Sequence, residues 1–412
     1  MNPPSGKGIP LAEQAAGPLT GFRVLDLSQM LAAPGAAMML ADQGADVIKV
    51  EPLWGDQIRH TFTSAPMADR ESRSFLAQNR NKRGIALDIR HPRAQEIVYR
   101  LCDGADVLIH NFRPGVAERL GYGYEQVRAR NKRLVYGWLT GYGTAGPFAG
   151  QAGYDYLLQA LSGILSRRRL PDGTPMRAGV FVADMSASML LAYGVALALL
   201  ERSRTGEGKL VTTSLLHAAL AMQNADLVRV EHELSQAGFV SPQALNSAYR
   251  CGDGGYLVIG IFQDAQWERL CRALDMPELG RDPRYETALA RSENGVELFD
   301  TLSALFGTRP LAAWSDLLNA ADVPCAPVLE WSQVFDHPQM VANDLFIETR
   351  HPVTGRTQLV APAIRVGDAP HPAAAAPLLG EHTAAVLAEL GYTGAEVAEL
   401  ADTGVVGLHP GS

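Results

Sequence analysis

Between residues 22 and 139 the chain alternates short apolar, β-branched runs with segments of helix length, and no other feature constrains the fold as strongly. The runs are FRVLDL (22–27), DVIKVE (46–51), IALDI (85–89), DVLI (106–109) and LVYGWL (134–139). Between them Pro34, Pro92 and Pro114 stand where a helix accepts proline, in its first turn, and Gly44 marks a stop. Strands separated by helices predict a parallel sheet with right-handed crossovers, an α/β domain of Rossmann-like type. From about Tyr154 the pattern is mainly helical, with a short strand LVTT (210–213) and a helix over 214–230. Residues 231–248 lack periodicity and read as a linker. A smaller α+β unit begins near Tyr249 with a hairpin around Gly254 and Gly255, followed by helices over 266–274 and 297–305. A helix over 381–390 follows a polar, Pro- and Ala-rich stretch. The expected organisation is a tail (1–20), a large domain (21–225), a small domain (226–342) and a return segment completing the large domain (343–412).

Composition removes several function classes. The formal net charge of -8 disfavours nucleic acid as a partner. The 10 His and 4 Cys show neither HExxH nor CxxC spacing, so no metal site is expected. The first 21 residues lack an apolar run of signal-peptide length. The most apolar run, 187–200, is short for a bilayer span of ~20 residues and interrupted by Tyr193 and Gly194. It predicts a core helix, no membrane partner and a cytoplasmic location.

The first strand-turn-helix unit looks like a dinucleotide site, but its turn, LSQMLAAPGAAMML (27–40), carries one glycine where G-x-G-x-x-G is required for close backbone approach to a pyrophosphate. A nicotinamide cofactor is therefore not expected. Asp184, in RAGVFVADMSASMLLAYG (177–194), precedes a long apolar stretch. On pattern alone it is an N-cap, and a helix terminus would keep its carboxylate ionised. In HNFRPGVAERLG (110–121), Arg119 is either a solvated helix residue or a phosphate partner. Asn81, Lys82 and Arg83 form either a solvated turn or a phosphate contact, and the run Arg167, Arg168, Arg169 reads as a solvated turn. Tyr154 reads as a packing residue at a helix start.

Several stretches together resemble the family III CoA-transferases of CaiB/BaiF type, which include formyl-CoA transferase, with acyl-CoA racemases sharing the fold. They are VLDLSQMLAAPGAAMMLADQGADVIKVEPLWGD (24–56), NRNKRGIALDIRHP (79–92), HNFRPGVAERLG, GYGTAGPFAGQAGYDYLLQALSGIL (141–165), the Asp184 segment, RTGEGKLVTTSLL (204–216) and LLGEHTAAVLAELGY (378–392). The resemblance implies an interlocked ring homodimer and CoA transfer from an acyl-CoA to a small carboxylic acid, with CoA as co-substrate and no permanently bound cofactor. It implies Asp184 as covalent nucleophile through a mixed anhydride and an aspartyl-CoA thioester, with Tyr154, Leu31 and Ala32 in support. CoA contacts are implied at Asn111, Phe112, Val116, Arg119 and Leu120, with Arg83 as a further candidate. Racemases carry His where this chain has Tyr154, and a phenol is a poor base at neutral pH. A racemase or a non-catalytic acyl-CoA-binding protein is the alternative. Two departures from formyl-CoA transferase, Leu31 in place of Gln and a loop (234–249) with Gly238 alone in place of a glycine run, point to another short mono- or dicarboxylic acid as acceptor.

Overall fold

The computed structural model describes residues 17–61, 71–231, 244–368 and 373–410. Two compact units emerge, Met1–Arg229 with Asp344–Ser412, and Val230–Asn343. Most of the expected tail and Gly238 lie outside the described residues.

The larger unit is built on a seven-stranded sheet. Its strands are β1 (Arg23–Asp26), β2 (Asp46–Glu51), β3 (Lys82–Leu87), β4 (Val107–His110), β5 (Val135–Thr140), β6 (Leu210–Ser214) and, at one edge, Val406–Gly407. From that edge the order is Val406–Gly407, β3, β2, β1, β4, β5, β6, and all pairings are parallel except the edge pair. This is the expected α/β architecture. β1 and β4 are neighbours although two strands separate them in sequence. The order reverses there, so the crevice beyond their carboxyl ends is where such sheets bind ligands.

Helices α1 (Ala32–Ala41), α2 (Arg73–Asn79), α3 (Pro92–Asp103), α4 (Val116–Leu120), α5 (Tyr124–Arg130), α6 (Asp155–Leu161), α7 (Val182–Thr205) and α8 (Leu215–Ala221) accompany the sheet. The helix expected over 214–230 is therefore only α8, while the run expected over 187–200 is part of a much longer helix, 24 residues. By length and composition α7 passes for a membrane span, but Ala183, Ala187, Leu191, Val195 and Ala198 bury one face in the core beside β4 and β5. Against α1 the approach is close: a Cβ added at Gly35 would lie 2.6 Å from Ser188 Oγ. Small residues, Ala33, Ala36 and Ala37, make the rest of that seam.

β3 begins three residues before the run expected from sequence, because Lys82 and Arg83 are buried strand residues and not a turn. Lys82 Nζ donates to Asp26 Oδ2 (2.8 Å), Asn79 Oδ1 (2.9 Å) and the Pro34 carbonyl (2.8 Å). Burial opposes ionisation of Asp26, but Lys82 and Lys49 outweigh it and hold the carboxyl below its usual range. Burial also pulls Lys82 down to about 8 against the attraction of Asp26. Arg83 is bound to Asp46 (2.6 Å) and Glu389 (2.5 Å), which ties the C-terminal segment to β2 and β3.

The smaller unit has the expected hairpin, β7 (Ala248–Arg250) with β8 (Tyr256–Ile259), and β9 (Cys325–Pro327) pairs antiparallel on its far side. Tyr249, Trp267, Phe306 and Trp314 form its aromatic core.

Removing one partner of a fully buried pair leaves the other charge uncompensated. Asp26→Asn is expected to cost about 3–5 kcal/mol in urea unfolding, and Asp26→Leu combined with Lys82→Met to recover much of that loss. A cost below ~1 kcal/mol, the level of surface ion pairs, contradicts the assignment.

Candidate active site

The loop after β1 is fixed before any ligand arrives. Lys49 Nζ donates to the Ser28 carbonyl and to Asp56 Oδ2, both at 3.0 Å. Asp56 Oδ1 accepts from the Met30 N–H (3.1 Å), and Asn111 clasps Gln29 from the other side through its N–H (3.0 Å) and its carbonyl (2.7 Å). These contacts hold Met30 at φ +69°, a conformation that non-glycine residues seldom adopt. The turn delivers Leu31 and Ala32 to the wall of a cavity at the β1/β4 crevice, at the start of α1.

The opposite wall comes from β4. His110 is buried among Phe112, Tyr136 and Trp138, and burial pushes its imidazole down to about 3, so it is neutral. Its Nδ1 accepts from the Phe112 N–H (3.2 Å), while Trp138 Nε1 donates to the Phe112 carbonyl (2.9 Å). Held at both backbone groups, Phe112 lines the cavity with Asn111 and Arg113.

Asp184 completes it. The N-cap position of α7 is Phe181, and Asp184 is the third helical residue. The N-cap reading from sequence is thus corrected. The acceptor for the Asp184 backbone N–H is the carboxylate of Asp155, at 3.0 Å. Ser188 Oγ lies within hydrogen-bonding distance of the carbonyls of both Ala32 (2.6 Å) and Asp184 (2.9 Å), which couples the two walls. The expectation that the helix end would favour ionisation is also overturned. Burial first, then repulsion from Asp155, raises the Asp184 carboxyl to about 7.

Of the residues singled out by sequence, the structure brings Leu31, Ala32, Asn111, Phe112, Tyr154 and Asp184 to this one cavity. Val116, Arg119 and Leu120 lie on α4, at the end of the Asn111–Phe112 loop and off the cavity wall. Arg83 is not brought to the cavity, and its guanidinium is engaged with Asp46 and Glu389. Arg167 is paired with Asp226 and Gln223.

Sequence reasoning gave Tyr154 more weight than its neighbour. In the structure Tyr154 is 55% exposed and Asp155 only 3%. Asp155 also accepts from Gln159, one turn on along α6. The Asp–x–x–x–Gln spacing was the available signal.

A description of CoA-transferase family III matches residues 19–383. The succinyl-CoA:glutarate CoA-transferase of Mus musculus is 37% identical over 404 residues, 95% of this chain and 91% of that protein. The formyl-CoA:oxalate CoA-transferase of Streptomyces coelicolor is 31% identical, over 94% and 99% of the two chains. Among solved structures, a CaiB/BaiF family protein from Brucella suis superposes with a TM-score of 0.81 at 32% identity, over 92% of this chain and all of that one. A match on this scale, with a Rossmann-type crevice that gathers an aspartate at a helix start, places the chain in CoA-transferase family III.

Proposed function

We propose that this enzyme transfers CoA from an acyl-CoA to a free carboxylic acid through covalent intermediates on Asp184. The observation that carries the reading is the placement of Asp184 in the walled crevice, beside the first turn of α1. The Asp184 carboxylate attacks the donor thioester carbonyl and expels CoA thiolate, forming a mixed anhydride. The thiolate attacks the aspartyl carbonyl and releases the donor acid as its carboxylate. The acceptor carboxylate then attacks the aspartyl-CoA thioester, and the returning thiolate takes the acceptor acyl group and regenerates Asp184. No proton is gained or lost over the cycle. Each tetrahedral stage carries an oxyanion. Pro34 has no N–H and the Gly35 N–H donates to the Leu31 carbonyl, which leaves those of Ala32 and Ala33 as the donors at the start of α1. Leu31 and Ala32 line the cavity there, so this helix start is the fitting source of stabilisation.

CoA itself is drawn along the Asn111–Phe112 loop toward α4, where Arg119 offers a guanidinium fork to phosphate. The homodimer implied by the family resemblance is supported by α7, whose second face is unpartnered among the described residues. Met189, Tyr193, Leu197 and Leu200, spaced at helical intervals, are exposed there.

Asp184→Ala is expected to abolish transfer in an assay of CoA donors against carboxylic acids, with the fold intact by circular dichroism. Hydroxylamine added during turnover is expected to leave a hydroxamate on Asp184, detectable by mass spectrometry. Near-normal transfer by the alanine variant defeats the mechanism. Deuterium uptake alpha to the thioester, without transfer to any acid, would favour the isomerase reading.

Because only the ionised carboxylate attacks, transfer is expected to rise with pH through about 7 and level off above it. Asp155→Asn removes the neighbouring charge, so the inflection is expected to move to lower pH. An unchanged inflection denies Asp155 its part in setting it.

Light scattering is expected to find a dimer persisting at nanomolar concentration, with Tyr193→Asp or Leu197→Asp weakening it. A folded wild-type monomer at those concentrations contradicts the homodimer.

A further inference from the structure

The segment that leads into α7 carries an arginine with an unusual setting. Arg177 forms no ion pair or side-chain hydrogen bond among the described residues. Its guanidinium carbon sits 4.7 Å from the ring centroid of Tyr156. Tyr156 lines the cavity and packs in turn on Phe181, another lining residue, with ring centroids 5.7 Å apart. A guanidinium laid on an aromatic face keeps its N–H edge free while the stack restricts its motion. That edge matches a carboxylate in bidentate geometry.

The backbone that bears Arg177 is also fixed. Gln159, fully buried, accepts from the Ala178 N–H (3.0 Å) and donates to the Val180 carbonyl (3.2 Å). The same amide donates to Asp155, the residue that anchors Asp184. One side chain therefore sets the position of the free cation relative to the nucleophile. Within the cavity wall the remaining charges are Asp155, Asp184 and Arg113. Arg177 is exposed and does not itself line the cavity, but it is stacked on Tyr156, which does. A monocarboxylic acid presents its single carboxylate to the aspartyl carbonyl and leaves that guanidinium without a partner.

We propose that Arg177 is the receptor for a second carboxylate, and that the acids this enzyme favours are dicarboxylic. The proposal rests on the CoA-transfer reading above and adds to it the residue that selects the acid. A CoA phosphate is the other anion that could engage a free guanidinium, and the two sources separate kinetically.

The test uses the full-length enzyme with butyryl-CoA as donor, which has no second carboxylate. Acceptors are paired by length, succinate with butyrate-d7 and glutarate with pentanoate. The wild type is expected to favour the dicarboxylate of each pair. Arg177→Gln is expected to lower kcat/KM for the dicarboxylates on the order of 10- to 100-fold, chiefly through acceptor KM, and to leave the monocarboxylates and the KM for butyryl-CoA close to wild type. Arg177→Lys, which keeps the charge but loses the planar fork, is expected to fall between. Equal losses on both acceptor classes, or a rise in donor KM alone, overturn the proposal. So does the same discrimination lost in Arg113→Gln and kept in Arg177→Gln. If the wild type transfers CoA to no acid, the transfer reading fails by itself. Calorimetry of glutarate against pentanoate binding, in wild type and Arg177→Gln, then decides the receptor independently: equal glutarate affinity in the two proteins would overturn it.

Discussion

The arrangement depends on charges that have no access to water. Asp26 and Lys82, and Lys49 and Asp56, are ion pairs with fully buried side chains at the carboxyl end of the sheet. Such pairs contribute little net stability against an apolar alternative, because desolvation offsets most of their attraction. Their effect is geometric. Lys82 bonds the Pro34 carbonyl in α1, Lys49 bonds the Ser28 carbonyl, and Asp56 holds the Met30 N–H. Two backbone points in one short loop and one in the first turn of α1 are thereby set, and a left-handed residue is retained in the loop. A loop without these anchors would relax Met30 and move the start of α1 away from the crevice.

From that fixed loop the rest of the site follows in a chain of contacts. Asn111 joins the β1 loop to the β4 loop, Ser188 joins the start of α1 to α7, and Asp155 joins α6 to α7. Among the described residues no large aromatic wedge separates α1 from α7. Gly35 and its alanine neighbours let the two helices approach, so Asp184 shares one cavity with Leu31 and Ala32 at the start of α1. The crevice of an open parallel sheet supplies the place, and these side chains shape it in the absence of a glycine-rich dinucleotide turn.

Much of this was legible in the sequence, for physical reasons that differ by residue. Parallel strands buried on both faces read as apolar runs, so β1, β2, β4 and β5 could be seen directly. The start of β3 could not, because Lys82 and Arg83 look like solvated charges until their partners Asp26, Asp46 and Glu389 are located, up to 306 residues away. Asp184 was found, but its protonation was misjudged. A helix-terminus argument sees the local chain, whereas burial and the Asp155 carboxylate are tertiary. The importance of Asp155 over Tyr154 was hidden for the same reason: exposure is not written in the GYDY motif.

Asp155 links two properties that are usually separable. Its carboxylate anchors the first turn of α7, which favours the folded chain, and its charge repels that of Asp184, which opposes a resting anion at the site. Natural selection acting on either property at this position acts on both. A change that strengthens the anchor also shifts the acidity of Asp184, and one that neutralises the neighbour also loosens the helix. Residue 155 thus ties the stability of the helix start to the acidity of Asp184, and a change at this position moves both together.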